Sequence, residues 1–171
     1  MSNGPRYFGK YRAMVLNNID PQNQGRVQVQ LGDHYGLFPS TWALPSFPFA
    51  AKGMAGIVAL PQLGAAVWVE FEAGDPDYPI WSGGFYPDPM GFPVLAMAGA
   101  TPATPNIHIQ TTTGTSVTLS DNPAQQVFIK TATGAVIMIG TAGITMMNGQ
   151  GASIQMTGPS VIINNGALVV T

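Results

Sequence analysis

The chain contains no cysteine in 171 residues, so neither a disulfide framework nor a thiolate metal site is available to it. Charge is nearly as scarce: six Lys and Arg and eight Asp and Glu make up 8% of the residues, whereas a soluble domain carries about a quarter. From Pro89 to Thr171 the only formal charges are Asp121 and Lys130. With a net charge of −2 and its few basic residues scattered, the sequence lacks the basic stripe that a nucleic-acid footprint requires. Long apolar runs are absent too. Gly, Thr, Asn and Gln interrupt every window well short of the roughly 18 apolar residues of a membrane-spanning helix. The N-terminus, MSNGPRYFGKYR, has no apolar stretch, so a signal peptide is not expected and synthesis in the cytoplasm is. No segment of a dozen residues carries a 3.6-residue apolar period, which argues against helices.

What is present is strand and turn grammar. Twenty-one glycines and fifteen prolines punctuate short runs rich in Val, Ile and aromatics, the pattern of an all-β chain. Composition breaks near residue 90. Before it lie twelve of the fourteen charges and all three tryptophans; after it come a Pro/Ala/Gly stretch and then a Thr/Gly/Ile/Met tract. Three segments are therefore expected: a barrel over 1–90, a stiff linker over 91–105 and a repeat module over 106–171.

In the first module, RAMVLNNID and GRVQVQL flank the turn DPQNQG, and STWAL, GIVALP, AAVWVEFE and YPIWSGGFY follow. Val67, Val69 and Phe71 alternate with Trp68, Glu70 and Glu72, so one strand face is apolar. Five or six such short strands in about 80 residues predict a small closed barrel. The Asp20, Pro21, Gly25, Arg26, Val27 turn, and the block from Pro61 and Gly64 through Phe71, Gly74, Asp75, Pro76 and Pro79 to Gly83, resemble the OB-fold domain of gpV-like and VgrG-like central spike proteins of contractile tails. The resemblance covers about residues 8–86. It implies an OB barrel seated on a baseplate hub protein and followed by a trimeric β-helical needle.

The second module repeats apolar pairs two residues apart: Ile107/Ile109, Val117/Leu119, Val127/Ile129, Val136/Met138, Ile144/Met146, Ile154/Met156, Val161/Ile163 and Leu168/Val170. Successive pairs are 7 to 10 residues apart with turn residues in each gap, the sequence form of a β-helix or β-prism. One such chain leaves strand edges open and its apolar face uncovered. Three chains wound round one axis, with each strand pairing to strands of the others, would seal both, so a homotrimer is expected. Its core would be Val117, Leu119, Val127, Ile129, Val136, Met138, Ile144, Met146, Ile154, Met156, Val161 and Ile163. At the far end, Leu168, Val169 and Val170 would expose apolar edges without a cap. The resemblance supplies an occupant there, a PAAR-like tip protein.

No catalytic constellation stands out, and no enzyme, cofactor or metal is expected. Glu70 and Glu72 with Asp75 and Asp77 are a pairing of carboxylates that acid–base work would use; a solvated barrel face and a Gly-Asp-Pro turn are the better account of them. Asp33, His34 and Ser40 are close in sequence, which is not the spatial arrangement of a triad. His108 sits between Ile107 and Ile109, so if these face inward it faces out, where metal ligands cannot converge. No lysozyme-like insertion follows the barrel. The expectation is a structural spike of a phage tail or related injection particle that makes transient contact with the target cell envelope. A trimeric adhesin or fibre tip binding surface glycans through its barrel is the alternative. A small OB-type nucleic-acid binder is a third reading, disfavoured by charge.

Overall fold

The structure, a computed structural model, describes residues 4–32 and 39–170. The chain divides into two compact units, Met1–Gly91 and Phe92–Thr171.

The first unit contains seven strands: β1 (Tyr11–Asn17), β2 (Gln28–Leu31), β3 (Leu44–Pro45), β4 (Phe49–Ala51), β5 (Ala55–Ile57), β6 (Ala66–Phe71) and β7 (Pro79–Gly84). Five form one sheet in the order β2-β1-β6-β7-β3, antiparallel except for the parallel β3–β7 pair. Ahead of β2, Val27 and Ala43 exchange backbone hydrogen bonds of 3.1 and 2.8 Å, and Ser40 N–H donates to the Val29 carbonyl at 2.8 Å. These bonds join the two outer strands and close the sheet into an OB barrel. Alternation then selects the core: Ala13, Val15, Val27, Val29, Leu31, Val67, Val69, Phe71 and Trp81 all point inward and are buried. Tyr7, Tyr11 and Phe71 meet with ring centroids 5.6 to 6.2 Å apart, so the residues before β1 plug one end. The expected strand GIVALP ends at Ile57; β4 and β5 instead make a separate two-stranded hairpin.

The second unit is an eight-stranded antiparallel meander of β8 (Ile107–Gln110), β9 (Ser116–Leu119), β10 (Val127–Lys130), β11 (Val136–Gly140), β12 (Gly143–Met147), β13 (Ser153–Thr157), β14 (Ser160–Ile163) and β15 (Leu168–Val170), each strand bonded to its sequence neighbours. Here one expectation is corrected. The strands find their hydrogen-bond neighbours within the chain, so both edges of every inner strand are already used. Three chains can share faces of such sheets, but not the inner ladders. The 91–105 stretch groups with this unit from Phe92 onward, makes a 3₁₀ turn over Val94–Met97, and ties in through a 2.9 Å bond from Asn106 Nδ2–H to the Ala98 carbonyl.

The turns on one side of the meander rest on one another. In the β8–β9 and β10–β11 turns, Thr111 and Thr131 each accept, through Oγ1, the N–H four residues on (Thr115 and Ala135) at 3.1 and 3.0 Å; Asn148 Oδ1 does the same for Ala152 in the β12–β13 turn, at 3.0 Å. Neighbouring turns are linked by Ala132 N–H to Thr115 Oγ1 at 3.2 Å. Gly149 is lodged so closely that a Cβ there would lie 2.8 Å from the Gly134 carbonyl carbon and 2.9 Å from the Thr133 oxygen. Gly151, in the same turn, also has positive φ but open space around it. Gly151→Ala should therefore cost only the left-handed backbone penalty of about 1 kcal/mol. Gly149→Ala should add roughly 1–3 kcal/mol of overpacking, which thermal melting of the two variants side by side will resolve.

Candidate functional site

Register fixes which side chains share a face of the meander. Directly opposed residues lie on the same side. Ile107 opposes Leu119, which opposes Val127, which opposes Ile139, then Ile144, Met156, Val161 and Val170. The second column runs Ile109, Val117, Ile129, Ile137, Met146, Ile154, Ile163 and Leu168. Both columns are apolar from end to end. Within one chain little covers them: Ile107 is 64% exposed, and Leu119, Ile129, Ile139, Met146, Ile154 and Met156 stay exposed as well. A continuous apolar sheet face of this extent marks an interaction surface.

Most of the expected trimer core lies on this face. Val117, Leu119, Val127, Ile129, Ile144, Met146, Ile154, Met156, Val161 and Ile163 are all on it. Val136 and Met138 are not. Val136 opposes Lys130 and Met147, and Met138 opposes Phe128 and Thr145, which places both on the other face. Ile137 and Ile139 take their places. The cause is the run Val136-Ile137-Met138-Ile139, four apolar residues in which a period of two has two equally good phases; the register of β11 against its neighbours decides between them. Of the expected tip residues, Leu168 and Val170 face the apolar side and Val169 the other, and all three are at least half exposed.

His108 lies on the opposite face from Ile107 and Ile109, across from Thr118. Its ring is fully engaged: Nε2 lies 3.1 Å from Gln110 Oε1, which only accepts, and Nδ1 lies 2.7 Å from Thr118 Oγ1. Thr118 and Ser116 are buried on that face, and Leu95 and Ala98 line one small pocket with Thr118 and Phe128. Among the described residues no group of three or more His, Asp or Glu is placed to hold a metal.

In the barrel, the conspicuous polar residues serve the fold. Asp20 accepts backbone N–H groups from Gln22, Gln24 and Arg26 at 2.8 to 3.2 Å, and Arg26 donates to both its oxygens, through NH2 at 2.6 Å and Nε at 3.1 Å. The guanidinium also lies 5.5 Å over the Trp42 ring. Gly25 at φ +76° completes the turn; its carbonyl accepts Trp81 Nε1–H at 3.1 Å, and Phe47 crowds the space a Cβ would need. The Asp-Pro…Gly-Arg-Val signature is thus one knot tying the β1–β2 loop to the barrel. The Arg26 bonds, with help from the turn amides, hold the Asp20 carboxyl far below the usual carboxylate range.

The four carboxylates of this region each have a local role. Glu70 is engaged by Lys10 Nζ and by Ser82 Oγ–H, contacts that lower its pKa in that order, while Glu72 opens the 3₁₀ turn Glu72–Gly74. Asp75 Oδ1 accepts Asp77 N–H at 3.1 Å. The Ser40 hydroxyl donates to the Thr41 carbonyl at 2.6 Å and accepts Val29 N–H at 3.1 Å, as part of the barrel closure. Asp33 and His34 lie outside the described residues.

Two family models match the chain. Residues 11–86 match the type VI secretion system/phage-baseplate injector OB domain, and residues 106–169 match the phage baseplate V C-terminal trimerisation domain. The chain thus carries both domains of a phage baseplate V spike protein, in that order. No curated protein matches it. The matched domains are structural parts of baseplates and injectors, so this spike protein is a component of a phage particle or a related injection apparatus. A trimerisation domain whose single chain leaves an entire apolar sheet face open is consistent with a homotrimer.

Two predictions follow from these placements. Met146→Asp puts a carboxylate on the apolar face and should abolish trimers in light scattering, since each buried charge costs several kcal/mol or must be protonated. Met138→Asp, on the other face, should leave them. For the knot, Asp20→Asn should lower the barrel's melting temperature by several degrees at pH 7. Because the folded-state pKa of Asp20 lies below its unfolded value of about 3.9, its contribution is complete above that value and is lost as pH falls through the folded one. The gap between wild type and variant should therefore hold constant from pH 8 to 5 and narrow only below about pH 4.

Proposed function

We propose that the trimer is the central, membrane-puncturing spike of a contractile tail or injection apparatus. Its barrels sit on the baseplate hub protein, and its β-prism points at the target cell envelope. The observation that carries this reading is the uninterrupted apolar face of the meander in a domain of the trimerisation family. Three such faces brought together enclose a dry core along one axis, with the stacked turns running beside it. A body of that construction transmits an axial push. The outer face, where Lys130 is the one Lys, Arg, Asp or Glu among the described strand residues, offers little that a membrane surface would hold by charge.

At the far end β15 pairs only with β14, and Leu168, Val169 and Val170 are exposed. Three such strands form a seat for a small PAAR-like tip protein, which would extend the ladder and cover the apolar ends. The glycan-binding alternative has less support. The barrel's exterior aromatic pair, Trp68 and Phe85, already has Arg12 lying 5.6 and 5.2 Å over its rings, where a sugar would stack.

Electron cryo-microscopy of the intact particle tests the reading. Density for three copies is expected on the tail axis, barrels against the hub and β15 outermost, with a further small protein beyond it. Finding the chain in a peripheral fibre overturns the spike role. An axial trimer with nothing against β15 overturns only the tip partner.

A further inference from the structure

The β4–β5 hairpin is an anomaly in the barrel unit. Among the described residues it pairs with no other strand, and all six of its strand residues are exposed. Phe49 opposes Ile57 and Ala51 opposes Ala55, so one face of the ribbon is wholly apolar. At its tip Gly53 and Met54 turn the chain at positive φ, and Met54 stands fully in solvent. A two-stranded ribbon in water is marginally stable, and beyond its base at Ile57 this arm is exposed on both sides, so its apolar face is free to take a partner. Lys52 is its only charge.

The same unit carries a cleft of about 910 Å³, walled by Phe47, Leu60, Trp81, Phe85 and Tyr86, with Ile57 at the base of the hairpin forming one edge. Its only charged lining residue is Asp88. Asp88 Oδ1 accepts the N–H groups of Met90 and Gly91, at 2.9 and 3.3 Å. An apolar arm with one cation and an apolar cleft with one anion are complementary. A chain that trimerises through its second domain holds three of each at high effective concentration.

We infer that the hairpin Phe49–Ile57 of each subunit docks in the barrel cleft of the next, with Lys52 paired to Asp88 of that neighbour. The contact is heterologous, arm to cleft, and closes into a ring under three-fold rotation. It locks the barrels into a collar that the second domain alone would leave tethered. The inference rests on the trimer, not on the puncturing role.

Because the chain has no cysteine, Lys52→Cys and Asp88→Cys give unique handles. Full-length protein carrying both, treated with a short bismaleimide, should run as linked dimers and trimers on a denaturing gel. Co-assembled single variants should give linked dimers, and either variant alone only monomers. A trimer by light scattering that yields monomer bands alone overturns the arm exchange while leaving the spike trimer intact; a monomer by light scattering overturns both. Hydrogen exchange gives a second reading. Amides of residues 49–57 should be protected in the free trimer, lose that protection in Lys52→Asp, and regain it when Asp88→Lys is added. Protection that arises only when hub protein is present would assign the arm to the hub instead, and would also overturn the exchange.

Discussion

Everything in the second half of this protein depends on one geometric fact: successive residues of a strand point to opposite sides. Register carries that alternation unbroken through eight strands, from Ile107 to Val170, and makes one face apolar from end to end, while the other mixes polar side chains with Phe128, Val136, Met138 and Ile162. Hydrogen bonding cannot relieve that face, because the inner strands have already spent both edges on their own chain. Only another apolar surface can. The scarcity of charge follows directly, since a strand with one face sealed and the other shared between Thr, Ser and Gln and further apolar residues has few positions left for Lys or Glu.

The barrel answers the same physics by itself. Its sheet closes through the Val27–Ala43 bridge, its alternating valines fill the interior, and the Asp20–Arg26 pair clamps the loop that turns β1 into β2. A self-sufficient unit is joined to one that needs copies of itself. The exception in the barrel is the β4–β5 ribbon, which behaves like the second unit: paired along its backbone, yet bare on its apolar face.

Much of this was legible before any coordinates. Val67, Val69 and Phe71 alternate with polar or amphipathic neighbours, so their burial could be read directly, as could the two-residue rhythm after Asn106. Where polar residues no longer mark the phase, reading failed. Val136 to Ile139 are all apolar, and only the register of β11 shows that Ile137 and Ile139 face the other strands' isoleucines. The β4–β5 hairpin is not legible in the sequence, because Ala and Gly dominate it and leave no periodic signal. Prolines 102 and 105 suggested a stiff spacer, but packing of Leu95 and Ala98 beside Thr118 and Phe128 draws that stretch into the second unit. Whether a ladder closes within a chain or between chains is not written in alternation at all, since both give the same pattern.

The intrachain ladder also sets the order of events in assembly. Strands that pair only with their sequence neighbours close small loops, and sheets of that topology form quickly compared with those that wait for distant segments. Each newly made chain can therefore fold its meander before it meets another. The folded sheet then presents its whole apolar face to water until two more arrive, and that interval, rather than folding itself, is where the chain is open to aggregation. Encounter between chains becomes the slow step, and its rate rises with concentration. Synthesis of many copies in one place and time thus protects the protein as effectively as any sequence feature.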